Sequence, residues 1–145
     1  MTSWQTVWRE GFAPHLSTSG LRALEQALLT DDPRLLQGAT TTPPLLACVQ
    51  DWPAEGACVI GFVGAVEHGG LASDCRQEGT ATVADVEEFF ARTCFACDQT
   101  LGEPAGCRWF LNWFDETPRD EARMQLLAEV QRTLAQREQR EAGAA

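Results

Sequence analysis

Apolar residues recur at helical spacing along most of this chain, and the breaks between the runs are sharp. Trp4, Val7, Trp8 and Phe12 share one helical face, and Pro14 closes that run. LRALEQALL follows, with Ser17 or Ser19 placed to cap it. Asp32 before Pro33 predicts a further short turn of helix, PRLLQ, ended by Gly38. ATTTPP at 39–44 interrupts the pattern, because two adjacent prolines favour an extended connector.

The run Ala57–Val66 is continuously apolar and therefore has no period. It fits a buried helix or a short buried strand at 57–66. Asp51 and Pro53 resemble a helix start and favour the helix, while the glycines of the run weaken either assignment. Residues 67–81, EHGGLASDCRQEGTA, form a polar, Gly-rich loop of a length often functional or mobile.

From Thr82 the pattern is firm. Thr82 and Asp85 make a capping box, T-x-x-D. Val86, Phe90, Cys97 and Leu101 then fall in one narrow arc with Cys94 at its edge, and Phe95 points from the middle of the opposite, polar face. Gly102 is a C-cap and Pro104 the start of another helix. CRWFLNWFD at 107–115 has no clean face as a strand. As a helix it gathers Arg108, Asn112 and Asp115 into one polar stripe, which predicts a largely buried helix. Thr117, Pro118 and Asp120 give a second capping box. Leu126, Leu127, Val130 and Leu134 line the last helix, which is expected to fray beyond Arg137. These elements predict one all-α domain over 1–141, a bundle of about six helices, with residues 142–145 as a disordered tail; the alternative is α+β with the short strand at 57–66.

Length and charge narrow the function. The 145 residues suit a single domain. The net charge is −10, and all 11 basic residues are arginine. Such a surface repels phosphate backbones, so nucleic acid is not an expected partner. Arg119, Arg123, Arg132, Arg137 and Arg140 alternate with acids along the last helix, so no basic stripe is expected there. The longest apolar run has half the roughly 20 residues of a membrane span. The first residues lack the basic-then-apolar order of a signal peptide, and a cytoplasmic location with reduced cysteines is expected.

The candidate chemistry lies in the six cysteines. Cys94 and Cys97 form a C-x-x-C. A structural zinc needs four ligands, so two more must come from Cys75, Cys107 or His68, and no second short-spaced pair exists. Redox motifs sit at a helix N-terminus, whereas this pair sits about three turns in. The plainer reading makes Cys94 and Cys97 small apolar packing residues. His68, Asp74 and Cys75 place a nucleophile and a base on the 67–81 loop, without a recognisable catalytic signature. GFVGAV lacks the glycine spacing of a dinucleotide loop. The acid pairs Glu87–Glu88 and Asp115–Glu116 diverge on a helix, and DETPRDE reads as junction capping or an acidic docking patch.

The expected function is therefore a non-catalytic, acidic protein–protein interaction module, an adaptor or regulator. It would need no cofactor and would bind a protein partner or itself through Phe95, Arg92 and His68. The alternatives are a small zinc protein built on Cys94 and Cys97 with Cys75 and Cys107, and a cysteine-dependent enzyme of the 67–81 loop.

Overall fold

A computed structural model describes residues 3–41, 52–72 and 79–143. Cys48, Asp51, Asp74, Cys75 and the prolines at 43 and 44 lie outside the described residues. The described residues form six helices and contain no strand, only three isolated β-bridges. The all-α expectation holds, and the 57–66 strand does not form.

Helix α1 begins at Trp4–Thr6, widens into a π-helical turn at Val7–Phe12 and tightens to a 3-10 turn at Ala13–His15. Ser17 caps α2, Thr18–Thr30, by accepting from the Gly20 N–H at 3.0 Å. Helix α3 is Val59–Glu67 and α4 is Val83–Leu101, with α5 at Arg108–Glu116 and α6 at Arg119–Gly143.

The architecture explains why the 57–66 run lacks a period. Helix α3 lies between α2 and α4, and every residue from Val59 to Ala65 is buried. A helix packed on both sides has no polar stripe to mark its turns. Its glycines are not weaknesses: a Cβ at Gly64 would run into the Phe89 ring, and one at Gly61 into Val86. They let α3 and α4 approach closely. The helix start differs from expectation. Cys58, not Asp51 or Pro53, is the N-cap, its sulfur accepting from the Gly61 N–H at 3.4 Å. Pro53 instead bridges to Thr82.

On α4 the capping box forms as read: Thr82 Oγ1 accepts from the Asp85 N–H at 3.1 Å, and Asp85 accepts from the Thr82 N–H at 2.9 Å. Its inner face is wider than one arc. Phe89 and Thr93 are buried beside Val86 and Cys97, because α4 packs on both α3 and α1. Helix α2 runs antiparallel to α6, with Thr18 near Arg137 and Leu28 near Arg123.

Five local readings change. Residues 33–37 are not helical: the Asp32 carboxylate accepts from the Arg34 N–H at 2.9 Å, and Leu35 and Leu36 then pair in extended form with Ala57. Pro104 does not open α5. The Asp98 carboxylate takes the Ala105 and Cys107 N–H groups at 3.1 and 2.8 Å, holding the segment in turns until Arg108. Thr117 turns its hydroxyl back to the Trp113 carbonyl and closes α5 rather than boxing α6. Helix α5 is only half buried: Phe110 and Phe114 face the core, Trp113 stacks on Trp4 at 3.6 Å, and Trp109 is exposed. Helix α6 stays helical to Gly143 on good helix formers, although its last turns are polar.

Candidate functional site

Helix α4 carries both candidate chemistries, on opposite faces. Its inner face brings thiols together. Cys94 and Cys107 lie within electrostatic reach of each other, and Asp98 sits beside Cys107, accepting its backbone N–H at 2.8 Å. Cys97 is fully buried, with its sulfur over the backbone of Gly11. The structure thus joins Cys94, Cys97 and Cys107, as the spacing allowed, and adds Cys58 nearby.

These thiols are held protonated. Burial pushes Cys94 well above the ordinary thiol value, and a thiolate at Cys107 would raise it further. Cys97 is pushed up to about 12, first by burial and then by negative charge at Cys107 and Asp98. Cys107 rises to about 11 through burial and its hydrogen bond to Asp98. Cys58 rises to about 11 although it caps a helix, because desolvation outweighs the N–H donors around it. A thiolate is the form that attacks or ligates, and this environment opposes it. Among the described residues, no three His, Cys, Asp or Glu side chains converge to hold a metal ion.

The outer face of α4 presents Phe95, 65% exposed. Arg92, one turn earlier, is also exposed and pairs with Glu88 at 3.7 Å. Ala91 and Gln99 are exposed on the neighbouring turns, so Phe95 projects from a polar surround. His68 does not join them. It caps α3, its Nδ1 donating to the Gly64 carbonyl at 2.8 Å, and it lies within electrostatic reach of Asp85. Asp85 is ten residues from Phe95, about 15 Å along the helix. A pairing of His68 with Cys75 lies outside the described residues.

Two features were not read from the sequence. Trp109 is 49% exposed at the start of α5, whose first turn hangs on Asp98, one turn beyond Phe95. A concavity of about 330 Å³ opens between α2 and α3, floored by Ala27, Phe62 and Val66. At its edge Arg34 and Asp32 bond to each other, at 2.7 Å for the shortest contact. No described helix is long and apolar enough to cross a membrane. Compared with protein-family models, curated proteins and solved structures, the chain matches none.

Proposed function

We propose that this chain is a non-catalytic protein–protein interaction module, an acidic adaptor or regulator, and that the outer face of α4 is its contact surface. The observation that carries this reading is the exposure of Phe95 on a long helix whose other face is fixed against α1 and α3. A rigidly presented aromatic loses little conformational freedom on binding, and such residues dominate contact energies. Arg92 and Glu88 supply a polar rim. The same reading keeps the protein in the cytoplasm, where its buried thiols stay reduced as packing residues.

The test is Phe95→Ala, read against a photoreactive side chain at position 95. Crosslinking through that group identifies the contact, either a second copy or another protein. The alanine variant should keep the wild-type circular dichroism and melting curve and lose the association seen in sedimentation. Association of undiminished strength, or the absence of any adduct through position 95, overturns the proposal.

A further inference from the structure

The arginines of this acidic protein are not evenly matched. Of the ten in the described residues, Arg9, Arg22, Arg34, Arg92, Arg119 and Arg123 each pair with a carboxylate. Arg108, Arg132, Arg137 and Arg140 do not. Three of those four converge. Arg132, Arg137 and Arg140 line a groove between α1 and α6, with Arg9 on its other wall and Gln136 between them.

Most of the acids that alternate with them in sequence are used elsewhere. Asp120 pairs with Arg123, Glu138 faces away to Arg22, and Glu129, which does not line the groove, is taken by Arg9 through two hydrogen bonds. Glu141, one turn beyond Arg137, forms no ion pair with it. The four guanidinium groups and the one carboxylate leave a net three positive charges around a cavity of about 110 Å³.

Like charges gathered without counter-charge oppose folding, and the arrangement is eased when an anion enters. Arg137 shows the strain: burial and then the charge of Arg140 lower its hold on its proton. It is fixed in place by donating to the Thr18 hydroxyl at 3.1 Å and the Ala13 carbonyl at 2.7 Å. Arg132 and Arg140 are exposed and form no hydrogen bond or ion pair among the described residues, so their donors are open to an anion. The cavity is well below the roughly 300 Å³ of a site for a drug-sized ligand. It suits one small oxyanion, and planar guanidinium forks are matched to phosphoryl oxygens.

We infer that the groove between α1 and α6 is an anion site for a dianionic phosphoryl group, held by Arg132, Arg137 and Arg140. The group arrives as free phosphate or as the phosphate of a small ester. This site is independent of the Phe95 face.

The probes are inorganic phosphate and glycerol phosphate, titrated by calorimetry and by melting temperature at constant ionic strength set with chloride. A saturable rise in melting temperature is expected for at least one probe, by mass action on the folded state. Stronger binding of the ester assigns the source as a phosphorylated small molecule; equal binding assigns free phosphate. The double variant Arg132→Gln/Arg140→Gln should lose affinity by about tenfold or more, yet melt no lower than wild type without phosphate. Arg140→Glu, a single change at an exposed helical position, should abolish saturation. Equal rises with chloride alone, no rise with either probe, or an undiminished response in both variants overturns the assignment.

Discussion

The two ends of α6 use arginine in opposite ways. Near its start, Arg119 donates to the Asp32 and Leu35 carbonyls and pairs with Asp31 at 2.9 Å, while Arg123 donates to the Leu28 carbonyl at 2.7 Å. The Leu28 carbonyl belongs to the C-terminal end of α2, where the helix dipole favours a cation, and the Asp32 and Leu35 carbonyls lie in the segment just beyond it. Asp31 itself sits in the left-handed C-cap of α2. Near the end of α6, Arg132 and Arg140 face a groove with no acid to spare. The same side chain at similar spacing is a staple in one place and an open donor in the other. The neighbour decides which, not the helix that carries it.

The comparison can be broken in the middle. Arg9 and Glu129 separate the two ends, and Glu129 is only 8% exposed at its side chain. Arg9→Met should leave that carboxylate buried without its cation and lower stability, read as a shift in the urea midpoint. At the stapled end, Arg123→Ala should cost about 2 kcal/mol, because the Leu28 carbonyl loses its partner and Asp31 one of its cations.

Acid should loosen the stapled end. The hydrogen bond from Arg34 holds the Asp32 carboxyl below its ordinary 3.8. A depressed folded value adds stability that is present above the unfolded value and is lost as pH falls through the folded one. Asp32→Asn should therefore cost about 1 kcal/mol at neutral pH, and the gap to wild type should close as pH drops below about 4. Urea midpoints at neutral and acid pH check this, and a gap that stays constant would refute it.

The smallest effects belong to the exposed positions. Phe95→Ala should move stability by no more than about 0.5 kcal/mol. In chloride alone, Arg132→Gln/Arg140→Gln should be neutral or stabilising by a few tenths of a kcal/mol. A large loss in either would mean that the side chain supports the fold rather than a ligand.

Much of the candidate site was legible because it is local. Phe95 opposite Cys97 follows from 100° per residue, and its exposure follows from the face it occupies. The meeting of Cys107 with Cys94 was open, because nothing in the spacing says how α5 returns to α4; the Asp98 carboxylate settles it. His68 was grouped with Phe95 only by exclusion, and the packing of α3 on the start of α4 separates them. The arginine groove was hidden by counting. Alternating charges along 119–141 appear neutral until each acid is assigned to its own partner.

The sequence by itself determined the helices that obey short-range rules. Ser17, the Thr82–Asp85 box and Gly102 bound α2 and α4, because caps and i, i+4 contacts are satisfied within a few residues. It favoured an all-helical domain, and left only the run at 57–66 open between helix and strand. Only the tertiary structure decided that Leu35 pairs with Ala57 instead of starting a helix, that α5 shows Trp109 to solvent, and that Arg9 consumes Glu129, 120 residues away. Those outcomes depend on which surfaces are desolvated together. Desolvation is a property of the packed chain, and no periodicity along the sequence encodes it.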